Sequence, residues 1–293
     1  MKRILTIGII LILGASILGG CGANNSTDSG KGFNLDKEIV VISREEGSGT
    51  RGAFVEITGI EAKDELGNTV DRTYEEAIVY NGTNQVLTAV AGNEYAIGYV
   101  STGSLNETVR ALKIDGVEPT TENIKNGSYK IARPFNIATK GNLTEITQDF
   151  IDFIMSKEGQ EIVSEDFIAV DDNAAPYAGS KPSGKIIIAG STSVTPVMEK
   201  LREAYLEINP EAEIEIHSTG SSAGMQAVIN GTADIGMASR DLKDSEKADL
   251  DYMAIAIDGI AVINNPANTI DNLSLEDVTK IFIGEITRWS HIK

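Results

Sequence analysis

Two stretches decide how this chain reads: Glu38-Ile-Val-Val-Ile-Ser-Arg-Glu-Glu-Gly-Ser-Gly-Thr50 and Lys185-Ile-Ile-Ile-Ala-Gly-Ser-Thr-Ser193. Each is an apolar, β-branched strand that runs into a loop of glycine and hydroxyl residues and then a helical pattern. A second pair follows in the same order. Gly92-Asn-Glu-Tyr-Ala-Ile97-Gly98-Tyr-Val-Ser101 parallels Gly231-Thr-Ala-Asp-Ile235-Gly236-Met-Ala-Ser239 with one residue of slip. A third pair is a strand ending near Ala138 that leads through Leu143-Thr144 to a helix, matched by one ending near Ile263 that leads through Leu273-Ser274 to a helix. Three matched elements in one order predict two similar α/β lobes.

Outward from these stretches, strands are expected at 38–43, 77–80, 95–100, 129–138, 185–189, 213–217, 234–238 and 252–263. Helices are expected at 50–57, 84–91, 145–164, 194–208, 222–230 and 275–283. In the longest, Phe150, Ile151, Ile154, Ile162 and Val163 recur at helical spacing and mark one buried face. Strand and helix in alternation predict mainly parallel sheets.

The chain has 293 residues, room for two lobes, and 43 acidic against 25 basic residues give a formal net charge of −18. That balance excludes a general nucleic-acid binder, which needs basic surface to displace counterions from phosphates. It does not exclude a small anion, because a buried site answers to local hydrogen bonds. One cysteine allows neither an intramolecular disulfide nor a cysteine-built zinc site, and two histidines argue against a histidine metal centre. No metal and no cofactor are expected.

Residues 1–20 have a different character. Lys2 and Arg3 precede an apolar run from Ile4 to Leu18, the pattern of a secretory signal. Leu18-Gly19-Gly20-Cys21 resembles the bacterial lipobox, in which the cysteine is lipidated and becomes the mature N-terminus. Residues 21–36 then read as a lipid-anchored flexible tether. The expected location is the extracytoplasmic face of a cell membrane, and the expected state is a monomer.

The loops carry the chemistry. Ser48, Gly49 and Thr50 lie between a strand and a helix, as do Ser191, Thr192 and Ser193, and Ser221 with Ser222. Each brings hydroxyls and backbone N–H groups to a helix N-terminus, the arrangement that holds a dehydrated oxyanion. One such loop is more simply a helix cap; three across both repeats favour a site. Arg44, at a strand end, can grip two oxygens of a tetrahedral anion in one plane or pair with Glu45 or Glu46.

Taken together, Gly190-Ser-Thr-Ser-Val-Thr-Pro196, Thr219-Gly-Ser-Ser-Ala-Gly224, Asp234-Ile-Gly-Met-Ala-Ser-Arg240 and Arg44-Glu-Glu-Gly-Ser-Gly-Thr50 resemble the phosphate-binding receptors of bacterial phosphate ABC importers, over roughly residues 37–293. The resemblance implies a fold of the periplasmic-binding-protein type II kind, with two α/β lobes joined by crossover strands around a ligand cleft. It implies inorganic phosphate as ligand and ABC permease subunits as partners. Carried over by motif, the ligands are Thr192, Ser193, Ser221, Arg44, Ser48, Gly49 and Thr50, with Ser191, Arg240 and Asp241 as further candidates. The family usually begins with the Gly-Ser-Thr-Ser loop, whereas here that half comes second. The order looks like a circular permutation, with residues 171–184 joining the halves; a truncated tandem gene is the alternative. A permutation gives one lobe from 37–126 plus 259–293 and another from 127–258, with crossovers near Phe135 and Ile260. Some members carry a carboxylate where Arg240 stands, to take the proton of hydrogen phosphate and reject sulfate. Asp241 and Glu45 are the acceptors nearest that role.

Other readings are weaker. Gly47-Ser-Gly-Thr-Arg-Gly52 matches a dinucleotide fingerprint, but 64–72 reads as a polar turn instead of the strand end such a site requires. His217 and Ser218 alternate on one strand and point to opposite faces, which disfavours a serine hydrolase. A receptor for sulfate or molybdate, a secreted phosphatase or esterase, and a phosphate sensor or adhesin are the remaining alternatives.

Overall fold

The computed structural model describes residues 32–292. The first half of the chain contributes β1 (Val40–Arg44), α1 (Gly49–Ile57), β2 (Glu61–Lys63), β3 (Thr69–Asp71), β4 (Ile78–Tyr80), α2 (Thr83–Ala91), β5 (Ala96–Ser101), β6 (Arg110–Ala111), β7 (Lys113–Ile114) and α3 (Thr121–Lys125). Next come β8 (Ala132–Thr139), α4 (Glu145–Ile154), α5 (Lys157–Val163), β9 (Ile168–Ala169), β10 (Gly184–Gly190), α6 (Thr195–Ile208), β11 (Ala212–Ser218), α7 (Ser221–Ile229), β12 (Ile235–Ala238) and α8 (Asp244–Lys247). The chain closes with β13 (Asp251–Asn264), β14 (Asn272–Leu273) and α9 (Leu275–Phe282).

Eight strands run in the order β11-β10-β12-β8-β13-β5-β1-β4. The wings are parallel: β1 pairs with β4 and β5, and β10 with β11 and β12. The middle is antiparallel, through β12–β8, β8–β13 and β13–β5. The sheet is therefore mixed, where alternation of strand and helix suggested mainly parallel. The reason is β13, a 14-residue strand that pairs with β8 through its first part and with β5 through its last. It crosses from one lobe to the other, running against β5, while β8 beside it runs against β12.

Each lobe has its own apolar core. One gathers Phe54, Tyr99, Phe282 and Trp289, with Phe54 and Tyr99 stacked at 4.0 Å between ring centroids. Tyr129 and Ile131 join this core, so the passage to the other lobe falls at the start of β8. The second core gathers Phe150, Phe153, Ile186, Met198 and Tyr205. Each such buried side chain contributes about 1.5–3 kcal/mol of transfer free energy.

The single helix expected over 145–164 is two. Met155 ends α4, and Ser156 starts α5 by accepting a hydrogen bond from Gly159 N at 3.3 Å. A serine cap inside an apolar period interrupts the helix, and Gly159 leaves room for the carbonyls of Phe153 and Ile154.

Candidate functional site

Four helices of the two wings, α1, α2, α6 and α7, point their N-termini at one cluster of hydroxyls. In the first wing β1 delivers Arg44, and Ser48 caps α1 by accepting from Arg51 N at 3.2 Å. Gly49 and Thr50 form the first turn of α1, both buried. In the second wing Gly190 ends β10, and Ser191, Thr192 and Ser193 follow before α6. Ser221 is the first residue of α7. Gly190 has φ +143°, and a β-carbon there would strike the Met237 backbone. That close approach seats the loop on β12.

The hydroxyls bond to one another across the lobes. Thr50 Oγ1 lies 2.8 Å from Ser193 Oγ and 3.4 Å from Ser239 Oγ. Ser191 donates to Ser239 Oγ at 2.9 Å and accepts from Ser193 N at 3.2 Å. Ser221 Oγ accepts from Ser239 N at 3.2 Å. A backbone bond, Ser222 N to Gly47 O at 3.2 Å, also spans the lobes. Gly49 sits so close that a β-carbon there would collide with Ser221 and Ser239 Oγ.

Arg44, 1% exposed, binds the Glu45 carboxylate with Nε and Nη2, each at 2.8 Å. Nη2 also donates to Thr192 Oγ1 at 3.0 Å, and Nη1 to Thr83 Oγ1 at 3.4 Å. Arg51 braces this end of β1 by donating to Arg44 O at 2.8 Å while paired with Asp71.

Thr192, Ser193, Ser221, Arg44, Gly49 and Thr50 thus meet in one place, with Ser191 behind them and Ser48 as the cap. Arg240 and Asp241 take other positions. Arg240 forms a two-pronged pair with Glu246, at 2.7 and 2.8 Å, and donates to Ser222 Oγ at 3.3 Å. Asp241 is exposed, and Arg240 meets its backbone carbonyl, not its carboxylate. Both oxygens of Glu45 are engaged by Arg44. Burial raises the Glu246 carboxyl, but hydrogen bonds from Arg240 and the Lys243 backbone outweigh it and hold the group below its ordinary value.

Four residues join the cluster without having been singled out by sequence. Thr83 Oγ1 lies 3.3 Å from both Thr192 Oγ1 and Ser193 Oγ. Its signal was present: Gly82-Thr83-Asn84 matches Gly220-Ser221-Ser222, and the two glycines share φ near +90° (+94° and +92°). Ser239 directly follows β12, the Asp-Ile-Gly strand. Arg133 and Asp258 come from β8 and β13, where they stand directly opposite in register with Nη2 and Oδ2 3.0 Å apart. No local motif marks a pair made across two strands. Burial lowers Arg133 to about 10, with Asp258 opposing that shift and nearby Arg44 adding to it. Burial likewise raises Asp258 against the pull of Arg133.

Four helix N-termini, a set of convergent hydroxyls and the buried Arg44 guanidinium are the donors of a receptor for a small oxyanion, on a two-lobed fold. Comparison with known proteins gives the same class. Residues 23–158 and 175–292 match the family model described as a PBP superfamily domain. The chain is 48% identical over 293 residues to the phosphate-binding protein PstS 2 of Streptococcus agalactiae, covering 99% of this chain and 98% of that one. It is 46% identical to its counterpart in Streptococcus pneumoniae, over 100% and 99%. A crystal structure of the phosphate-binding protein of a phosphate ABC transporter from Streptococcus pneumoniae superposes with a TM-score of 0.70 at 49% identity, over 87% of this chain and all of that one. The chain belongs to the PBP superfamily and, within it, to the family of these phosphate-binding proteins.

Proposed function

We propose that the protein captures inorganic phosphate between its two lobes and presents the liganded form to the permease of an ABC importer. The observation that carries this reading is the junction of Arg44, Thr50, Thr83, Thr192, Ser193 and Ser221, drawn from both lobes onto one point. Its donors suit a tetrahedral anion stripped of water, and binding energy enters as a preference for the closed arrangement. The ligand set is Thr192, Ser193, Ser221, Arg44, Ser48, Gly49 and Thr50, with Ser191 as support. The reading is a receptor and not an enzyme, supported by relatives that are phosphate-binding proteins, one of them of a phosphate ABC transporter.

The two halves stand in circularly permuted order. Lobe one takes 37–126 plus 259–293, lobe two takes 127–258, and 171–184 joins the halves. The division of apolar cores supports these lobe bounds, apart from Tyr129, Ile131 and Ile168, which pack in the core of lobe one. Cys21 and its signal lie outside the described residues. The lipobox-like sequence supports a lipid anchor on the extracytoplasmic face of the membrane, and no described helix is long and apolar enough to cross a membrane.

Thermal unfolding with phosphate, sulfate and molybdate tests the reading. A ligand at 100 times its Kd adds about 2.7 kcal/mol to the stability of the form it binds. Stabilisation by phosphate alone supports the proposal. Equal stabilisation by sulfate replaces it with a general oxyanion receptor.

A further inference from the structure

Arg133 reaches the cluster from the crossover strand, outside every repeated loop. Its side chain is 2% exposed and that of Asp258 is fully buried. Nη2 donates to Thr50 Oγ1 at 3.2 Å. Nε and Nη1 have no hydrogen-bond partner among the described residues. A guanidinium carries five N–H donors and keeps its charge, so buried donors without acceptors are costly unless something they face supplies acceptors. The ring of Phe135, 5.5 Å from Cζ, covers one side. On the other side a chain of polar groups leads to the second guanidinium: Arg133 Nη2 to Thr50 Oγ1, then Ser193 Oγ, Thr83 Oγ1 and Arg44 Nη1.

We propose that Arg133 is a second cation of the anion site and a specificity-determining residue, which makes binding depend on the negative charge of the ligand. This rests on the phosphate reading above. Two guanidiniums at the ends of one hydroxyl chain repel across a water-poor space, and an anion among the hydroxyls relieves that repulsion, a dianion more than a monoanion. Arg44 divides its donors among Glu45, Thr192 and Thr83. Arg133 spends one on Thr50, is anchored by Asp258, and keeps the three N–H donors of Nε and Nη1 unspent. The charged and titratable groups facing Arg133 are Asp258 on β13, Arg44 on β1 and Tyr99 on β5.

The test is calorimetric titration of inorganic phosphate at about pH 6 and about pH 8, between which phosphate loses its second proton. Wild type, Arg133→Lys, Arg133→Met and the double variant Arg133→Met/Asp258→Asn are compared, the last removing both buried charges so that neither is stranded. Wild type is expected to bind more tightly at the higher pH. Both Met variants are expected to bind about 30-fold more weakly there and to lose the dependence on pH; Arg133→Lys keeps it. If the folded double variant binds within about twofold of wild type, or weakens with an unchanged ratio between the two pH values, Arg133 is only structural and the inference is overturned. A wild type that does not bind phosphate sinks the phosphate reading itself, an outcome distinct from a wild type that binds and a variant that matches it.

Discussion

Gly49 and Ser221 belong to different lobes, and the α-carbon of one lies against the hydroxyl of the other so closely that any side chain at position 49 would collide with it. The contact exists only while the lobes are together. Gly49→Ala should therefore spare the separated form and hinder closure. An alanine in the first turn of α1 changes ligand-free stability by no more than about 1 kcal/mol. The phosphate-induced rise in unfolding temperature should vanish, as should any ligand-induced compaction in small-angle scattering. A full phosphate response from this variant would mean that closure does not bring these residues together.

Arg240 and Glu246 give a prediction of the opposite kind. Their side chains are each 9% exposed and form a buried pair. Glu246→Gln strands the arginine charge and should cost about 3–5 kcal/mol in urea unfolding near neutral pH. The folded carboxyl lies below its ordinary value of 4.5, so its stabilisation is fully present above that value and is lost as pH falls through the folded one. The gap between wild type and variant should shrink on acidification. A gap independent of pH would show that the charge of Glu246 is not what matters.

The 171–184 segment is tied to the second lobe through Asp149. Oδ2 accepts from Tyr177 at 2.5 Å and Tyr205 at 2.6 Å, and Oδ1 accepts from Ser180 N at 2.8 Å. Tyr177→Phe removes one charge-assisted bond and should cost about 1.5–3 kcal/mol, with faster proteolytic cleavage inside 171–184. Unchanged stability and cleavage would mean that this segment is held by its other contacts.

Much of the fold was legible because its strands are buried apolar runs closed by glycine, and a run such as Ile186–Ala189 has few other ways to be satisfied. What was illegible depended on tertiary partners. The break at Ser156 needed a cap to outweigh helical periodicity. The site was readable where it followed the repeat, through Arg44, Thr50, Ser193 and Ser221. Thr83 was missed although its glycine–hydroxyl pair repeats Gly220-Ser221. Arg133 and Asp258 could not be paired from sequence, since only the register of β8 against β13 places them opposite each other. Arg240 was drawn toward the site by its place in a motif, but the acidic partner that holds it sits six residues on, in α8.

The proposed lipid anchor predicts that Cys21→Ser moves the protein from the membrane to the soluble extracytoplasmic fraction, because a polar tether without a lipid gives no anchorage. Retention on washed membranes would point to another attachment.

The central claim is that both lobes close on phosphate through Arg44. Calorimetric titration of wild type and Arg44→Ala with inorganic phosphate measures it most directly. Saturable one-to-one binding by wild type, and none by a variant that remains folded, is the predicted result. Undiminished binding by Arg44→Ala, or none by wild type at millimolar phosphate, would contradict it.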